Sequence, residues 1–332
     1  MDLKHAFPIF AVVILAGVAG GCTQTLDAGS NRPHGRLPVD ERNPIVLVND
    51  GAGDNWQGEY AVLLANGGGP PLAGIVVNRS EPWPDLGTNV AGWRALVSAA
   101  RESGLRNIPD PIASVGPPLV RPATGEIDAT APNRSEGARF IVDASKRLGL
   151  PYRPLVVATG SALTDVADAY LLDPTVAERL VVVSSLGVLS ASGAQMGNPN
   201  GNEDPWAATI VATRLRYVQV SAYYSQLNDV PASSVPNLPA NPLGARIAAK
   251  QPNLWEWPPA SDQVAVVAVG IPSFATEVQR VTTGPPILAG ATAGPDLAID
   301  ANGAGWLVTA CDGSAPATRL WELLTDLNTY SP

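Results

Sequence analysis

Two aspartates and an asparagine crowd one glycine-rich turn near the start of the chain. The stretch VNDGAGDNWQGEYAVLLAN, residues 48–66, places Asp50, Asp54 and Asn55 directly after the apolar run PIVLV. Carboxylate and amide oxygens this close together suit a hard cation, which binds oxygen ligands at short range. The same residues also suit a tight turn in which Asp54 or Asn55 caps the following helix. Residue types and spacing leave both interpretations open.

The histidine content narrows the chemistry. His5 and His34 are the two histidines, so the chain beyond residue 34 has none. This disfavours Ser-His-Asp hydrolysis, Cys-His catalysis and His-ligated zinc. Cys311 is the single cysteine after Cys22 and is interpreted as a buried thiol. Any chemistry must therefore depend on carboxylates, amides, hydroxyls or an oxygen-ligated metal.

The composition favours a globular, acidic protein. Of its 332 residues, 45% are hydrophobic, which is enough to fill a sizeable core. The formal net charge is −9, and no basic stripe is present. Because contacts to phosphates require clustered Lys and Arg, we expect no binding to nucleic acid.

The N-terminus has the pattern of an export signal. Residues 1–21 hold a Lys and a His, an apolar stretch from Phe7 to Val18, and small residues before Cys22. The sequence AGGC resembles the lipobox of bacterial lipoproteins, with Ala19 where Leu is usual. We expect a lipidated Cys22 followed by a tether over 22–43, with ordinary cleavage or an uncleaved anchor as alternatives. The expected location is the bacterial cell envelope, periplasmic or on the outer face, with membrane contact through the lipid alone.

Residues 44–332 are predicted to form one α/β domain. Continuous apolar runs predict strands buried on both faces, at 44–48, 73–77, 154–159, 179–185, 216–222 and 264–269. Helical spacing predicts helices between them, at 57–65, 87–103, 135–147, 163–172 and 205–214. The alternation indicates an open, mostly parallel, doubly wound sheet with helices on both faces, and a C-terminal helix near Trp321. Sites in such sheets form beyond the carboxyl ends of the strands, where Asp50 lies.

A second strand end carries a family resemblance. The segment LTDVADAYLLDPTVAERLVVV, within residues 154–187, resembles the corresponding segment of the calcium-dependent nucleoside hydrolases of the inosine-uridine-preferring type. In that register the opening turn resembles the family's DTDPGxDD loop, with Asp50, Asp54 and Asn55 on its last three acidic positions and Val48 on its first. The resemblance extends from about residue 44 to 275 and implies the nucleoside-hydrolase fold.

The resemblance also assigns residues further along the chain. LAGIVVNRS is similar to the family's GITTVAGN strand, which puts Asn78 on a ribose-contacting Asn. GNPNGNEDPWAA is similar to EFNxxxDPEAA, which puts Asn200 on a ribose-binding Asn and Asn198 on a Glu. SDQVAVVAV is similar to VHDPLAVAY, which puts Asp262 on a metal-binding Asp and Ser261 on a His.

The resemblance implies a calcium ion as cofactor. Its ligands would be Asp50, Asn55, the Thr159 carbonyl and Asp262, with Asp50 also taking the proton of the attacking water. The implied substrate-binding residues are Asp54, Asn78, Asn198 and Asn200. The resemblance is also compatible with a homo-oligomer.

Several departures from the family pattern bear on this site. Asn55 replaces a charged ligand, which weakens attraction to Ca²⁺, and either Glu59 or Asp54 is a candidate for that vacancy. Ser261 stands where the family pattern has a His, so the imidazole that could act as a general acid is absent at that position. The expected function is hydrolysis of the N-glycosidic bond of a nucleoside or related ribosyl compound. The alternative is a non-catalytic or carbohydrate-binding lipoprotein on the same fold, with sugar stacking on tryptophans at positions 56, 83, 255 and 257.

Overall fold

A computed structural model describes residues 36–51, 56–189, 195–197, 199–220, 232–254 and 262–330. Five residues singled out from the sequence, Cys22, Asp54, Asn55, Asn198 and Ser261, lie outside these ranges, as do Trp255 and Trp257. So do the predicted signal segment and the tether as far as residue 35.

Eleven strands occur within the described residues. They are β1 Ile45–Asn49, β2 Leu72–Val77, β3 Pro111–Ala113, β4 Leu155–Thr159, β5 Leu180–Ser184, β6 Val188–Leu189, β7 Gln195–Gly197, β8 Arg216–Val220, β9 Ala275–Thr283, β10 Leu297–Ile299 and β11 Gly305–Cys311.

Nine α-helices accompany them in the same ranges. They are α1 Gln57–Asn66, α2 Leu86–Glu102, α3 Glu136–Leu148, α4 Thr164–Leu172, α5 Pro199–Glu203, α6 Pro205–Arg214, α7 Pro242–Leu254, α8 Gln263–Gly270 and α9 Ser314–Thr325. Short 3₁₀ helices cover Ile127–Ala129, Pro174–Glu178, Ala232–Asn237 and Leu327–Tyr330.

Nine of these strands form one mostly parallel sheet. Its order is β10-β9-β11-β8-β5-β4-β1-β2-β3, with antiparallel pairing at β9 and parallel pairing elsewhere. β6 and β7 pair with each other in a separate small sheet. Helices cover both faces, so the predicted doubly wound α/β fold is confirmed.

The pattern of β1 shows why the sheet is buried on both sides. Ile45 and Leu47 pack into one hydrophobic core, while Val46 and Val48 pack into the other. Side chains of a strand alternate between faces, and β-branched residues suit this doubly buried setting. The first core also includes residues of α1, α2, α8 and α9, and the second includes residues of α3, α4 and α6.

One predicted strand is a helix. The run VAVVAV at 264–269 belongs to α8, whose residues Gln263 to Val269 are all buried. It packs against α1 on one side and against β4, β5 and β8 on the other. A short, continuously apolar segment has no periodicity that separates a buried strand from a buried helix. The prediction was therefore wrong for this element, although the fold class does not change.

Packing begins before residue 44, where the sequence places the start of the domain. Val39 lies in the first core, and the Asn43 side chain donates from Nδ2 to the Pro154 carbonyl at 2.7 Å. The last residues of the expected tether are thus fixed to the domain. Within the described part of the chain, none of the helices combines the length and apolar character needed to cross a bilayer.

Candidate active site

The carboxyl ends of four neighbouring strands carry the polar residues of interest. Asp50 follows β1, Asn78 follows β2, Gly160 follows β4 and Ser185 follows β5. These strands are adjacent in the order β5-β4-β1-β2 and run parallel, so their ends meet at one edge of the sheet. This edge is where ligands bind in open α/β sheets.

Asp50 is buried and held from the loop that follows β2. Its carboxylate accepts hydrogen bonds from the Ser80 hydroxyl and, at 2.7 Å, from the Gly51 backbone N–H. Its backbone carbonyl accepts from Trp93 Nε1 at 3.0 Å. The Trp83 ring lies so close to Gly51 that an added Cβ would fall 2.6 Å from it, which explains the glycine at this position. The candidate base is therefore fixed in orientation.

Asn49 is a site residue that sequence reasoning missed. It is buried, and its Nδ2 donates to Gln57 Oε1 at 2.6 Å and to Asp262 Oδ2 at 3.1 Å. Gln57 Nε2 in turn reaches the Ala158 carbonyl at 3.5 Å. The signal was present in the sequence, since a buried amide ends an otherwise apolar strand. This chain of amides orients the Asp262 carboxylate.

The predicted ligands Thr159 and Asp262 lie at the same corner. Thr159 ends β4 opposite Val48 of β1, and its carbonyl accepts from Ser185 N at 2.9 Å. Gly160 N donates to the Val48 carbonyl at 3.1 Å, and the Asp262 side chain lies over the Cα of Gly160. The structure thus brings Thr159 and Asp262 beside the end of β1, one residue from Asp50.

Asn200 spans the ends of two strands. Its Nδ2 donates to the Gly160 carbonyl at 2.9 Å and to the Ser185 carbonyl at 2.7 Å. Both amide hydrogens are used in this way, so Oδ1 is the side-chain atom that can accept a hydrogen bond from a ligand. Asn200 therefore also lies at the carboxyl edge, as its predicted role requires.

Asn78 contacts a second buried acid, Asp165, that the sequence analysis did not single out. Asn78 Nδ2 donates to Asp165 Oδ2 at 3.4 Å, and Asn78 Oδ1 is buried with no hydrogen-bond partner among the described residues. Asp165 Oδ1 accepts from the hydroxyls of Ser114 and Ser135, the latter at 2.9 Å. Ser135 also donates to Asp168 Oδ2 at 2.8 Å. The two acids in LTDVAD were the available signal, because both lie on the buried helix α4.

Burial governs the protonation of Asp165. Its full burial raises the pKa of that carboxyl, and the negative charge of Asp168 acts in the same direction. The hydrogen bonds from Ser114, Ser135 and Asn78 oppose this shift and lower the pKa. The group therefore holds its proton to higher pH than an exposed aspartate does.

Glu59 does not fill the vacancy left by Asn55. It is fully buried on α1, and its Oε1 accepts from Lys250 Nζ of α7 at 2.8 Å. Arg246 Nε lies 3.8 Å from the same oxygen, and Lys250 Nζ is 4.9 Å from the centre of the Trp56 ring. Trp56 therefore packs beside this ion pair and is buried, in keeping with a core role.

The residues present can be compared with the requirements of a calcium ion. Within the described ranges, no group of three or more His, Cys, Asp or Glu side chains comes together as a metal cluster. Asp50, Asp262 and the Thr159 carbonyl nevertheless supply buried oxygen donors, the ligand class that Ca²⁺ prefers. They fit such an ion in chemistry, with one oxygen of Asp262 already engaged by Asn49.

Gly160→Ala is expected to disturb this corner selectively. The new methyl group would overlap the Asp262 side chain and lie 2.7 Å from Asn49 Nδ2. Overpacking of this kind costs about 1–3 kcal/mol of unfolding free energy and would displace the Asp262 carboxylate. Urea denaturation and calcium calorimetry measure both effects. Gly197→Ala is the matched control, since its added Cβ meets no atom of the described residues within 4 Å. Equal behaviour of the two variants would contradict the placement of Asp262.

Solved structures share this architecture. The chain aligns with an inosine-guanosine nucleoside hydrolase at a TM-score of 0.63 and 16% identity, over 84% of this chain and 98% of that one. It aligns with the inosine-uridine preferring nucleoside hydrolase of Bacillus anthracis at 0.59 and 15%, over 85% and 99%. A third match is the type III effector protein XopQ complexed with adenosine diphosphate ribose, at 0.55 and 14%, over 89% and 96%.

Sequence comparison adds no closer relationship. No protein-family model matches the chain, and no curated protein matches it. At identities of 14–16% the structural likeness establishes the fold. The chain has a nucleoside-hydrolase-like α/β fold, as the resemblance in the sequence implies.

Proposed function

We propose that this protein hydrolyses the N-glycosidic bond of a nucleoside or related ribosyl compound. The observation that carries the proposal is that Asp50 follows β1 while Asp262 and Thr159 lie beside the end of the same strand. Two carboxylates and one backbone carbonyl thus lie at one edge of a sheet whose fold is shared with nucleoside hydrolases. A bound Ca²⁺ would supply Lewis acidity toward a water molecule and a sugar diol.

The residues of the chain have separate roles in this reaction. Asp50 takes the proton of the attacking water, because its carboxylate is fixed by Ser80 and Gly51 at the end of β1. Asn200 accepts a hydrogen bond from a sugar hydroxyl through Oδ1. Asn78 contacts the sugar from the end of β2. Asp54 and Asn198, from the same resemblance, complete the set that binds the sugar.

A direct test is calcium-dependent release of reducing sugar from a panel of nucleosides that includes inosine and uridine. We expect release to rise with added calcium and to stop with a chelator. Release that is independent of calcium would contradict the cofactor. The absence of release from every nucleoside would contradict hydrolysis.

A second candidate is a protein that binds a ribosyl ligand without cleaving it. Two observations favour it: the Asn49 amide already donates to Asp262, and Asn55 replaces a carboxylate of the family pattern. The matching effector structure contains adenosine diphosphate ribose. Calorimetry with that ligand, with product analysis afterwards, separates binding from turnover.

Asn55→Asp is expected to tighten calcium binding at least about tenfold, which corresponds to roughly 1.4 kcal/mol. The reason is that an added carboxylate increases the ligand charge around the cation. In a weakened hydrolase centre, sugar release at limiting calcium should rise in parallel. Asn55→Gln is the matched control because it adds no charge. If calcium affinity is the same in both variants, Asn55 does not face the metal.

We also propose that the mature protein is a lipoprotein anchored at Cys22 in the bacterial envelope. The support is the export pattern of residues 1–21 and the AGGC sequence. Mass spectrometry of the mature N-terminus measures this directly. A mature chain that starts elsewhere without lipid would contradict it.

A further inference from the structure

Glu203 connects α5 to the loop that follows β2 at the candidate active site. It is the last residue of α5, and both oxygens of its carboxylate accept from the backbone N–H of Glu81, at 3.0 and 3.1 Å. Glu81 directly follows Ser80, whose hydroxyl donates to Asp50. The Glu203 carboxylate therefore binds the residue next to Ser80, and Ser80 in turn binds the proposed base, Asp50.

The other end of α5 fixes this placement. Asn200, three residues before Glu203, donates to the carbonyls of Gly160 and Ser185 at the ends of β4 and β5. α5 thus extends from those strand ends to the loop after β2. Glu203 is only partly buried, so its carboxyl group lies on the rim of the site and can reach a ligand.

We propose that Glu203 is the general acid that protonates the departing base. This inference rests on the proposed ribosyl hydrolysis and deepens it. A nucleobase leaves poorly as an anion, and the chain has no histidine beyond residue 34 that could protonate it. Glycosidases commonly divide acid and base roles between two carboxyl groups, here Glu203 and Asp50.

The proposed step is balanced in atoms and charge. The bond between C1′ and the base nitrogen breaks, and its electron pair goes to that nitrogen, which takes the proton of Glu203. The oxygen of water bonds to C1′, and the water's proton goes to Asp50. Proton exchange with solvent returns Glu203 to the acid and Asp50 to the carboxylate, so the sum is water plus riboside giving ribose plus free base.

The surroundings of Glu203 support the acid form. Partial burial raises the pKa of its carboxyl, the hydrogen bond from Glu81 N lowers it, and the Glu81 charge raises it further. Among the described residues, Arg79 in the loop and Asp204 at the start of α6 are charged neighbours in the chain, and Asp50 is bonded to Ser80 of the same loop. A raised pKa keeps the proton to higher pH, so activity on nucleosides should fall as pH rises through that pKa.

The test compares two leaving groups in the Glu203→Gln variant. Gln can still accept from Glu81 N, so the contact between α5 and the loop after β2 remains, but Gln cannot give up a proton. We expect about a 10²-fold loss in kcat/KM with inosine. With 4-nitrophenyl β-D-ribofuranoside, whose phenolate leaves without protonation, we expect less than about a threefold loss. The decline of nucleoside activity at high pH should also disappear in the variant.

Glu81→Gln is the matched control, because the side chain of Glu81 is exposed and its backbone N–H is unchanged. It should retain activity on both ribosides at low pH, while the decline of nucleoside activity moves to lower pH because the Glu81 charge no longer raises the pKa of Glu203. If Glu203→Gln loses activity equally on both, the residue only positions the loop and the inference is overturned. If it loses activity on neither, the inference is also overturned. A wild-type protein inactive on both ribosides would overturn the proposed function itself, and this inference with it.

Discussion

Asp50→Asn is expected to lower kcat/KM for nucleoside hydrolysis by about 10²- to 10⁴-fold. The amide cannot take a proton from water, and it also removes one of the charged oxygen donors at the strand ends. Folding should be preserved, because Asn Oδ1 can still accept from Gly51 N, and Asn Nδ2 in the place of Oδ2 can donate to the Ser80 hydroxyl oxygen. Steady-state kinetics over a range of calcium concentrations measures the effect.

Asp262→Asn is the matched control for this prediction. Asp262 is buried at the same corner and undergoes the same chemical change, but its assigned role is that of a ligand and not a base. Excess calcium should therefore restore much of the activity of Asp262→Asn and little of that of Asp50→Asn. Equal rescue of both variants would mean that Asp50 acts as a ligand only.

Lys250→Met is expected to lower the unfolding free energy by about 3–5 kcal/mol. Glu59 is fully buried, and Lys250 Nζ at 2.8 Å is its closest cation, while Arg246 is at 3.8 Å. Removal of the lysine leaves a buried carboxylate with weaker compensation. α1 begins two residues after Asn55 in the chain, so the same change is also expected to reduce calcium affinity. Urea denaturation gives the first quantity and calorimetry the second.

Two comparisons make the Lys250 result specific. The double variant Glu59→Gln with Lys250→Met should recover most of the lost stability, because the isolated charge is gone. Lys146→Met breaks the partly exposed pair with Asp173, 2.7 Å in length, and should cost less than about 1 kcal/mol. Similar losses for Lys146→Met and Lys250→Met would show that the buried pair has no special weight.

The fold class could be predicted because most strands and helices have a clear hydrophobic pattern in the sequence. β1, β4 and β5 are mostly apolar runs rich in valine. α2 and α3 begin at the capping residues Asp85 and Ser135, whose side chains accept from the backbone of the first turn. α8 was mistaken for a strand because its burial on all sides removes the helical period. The strands β9 to β11, at one end of the sheet, were missed because their exposure varies along each strand, so no apolar run marks them.

The site was harder to predict than the fold. Thr159 and Asp262 were placed by the resemblance, and the structure brings them to one corner. Asn49 and Asp165 act through hydrogen bonds to residues distant in the chain, Asp262 and Asn78, which are 213 and 87 positions away. Hydrogen bonds between residues so far apart leave no pattern in the local sequence. The orientation of the Glu59 side chain likewise depends on Lys250, 191 positions away on α7.

The position of β1 in the sheet determines the order in which the site can be assembled during folding. β1 forms early in the chain, but its neighbour β4 becomes available only after more than a hundred residues, as the Asn43 to Pro154 contact, 111 positions apart, indicates. The Asn49 to Asp262 contact spans 213 positions. Contacts this distant close slowly, so a chain that emerges N-terminus first can pair β1 with β2 early but leaves the β4 side of β1 open for longer. Catalytic competence should consequently wait for the docking of α8, which brings Asp262 to the end of β1.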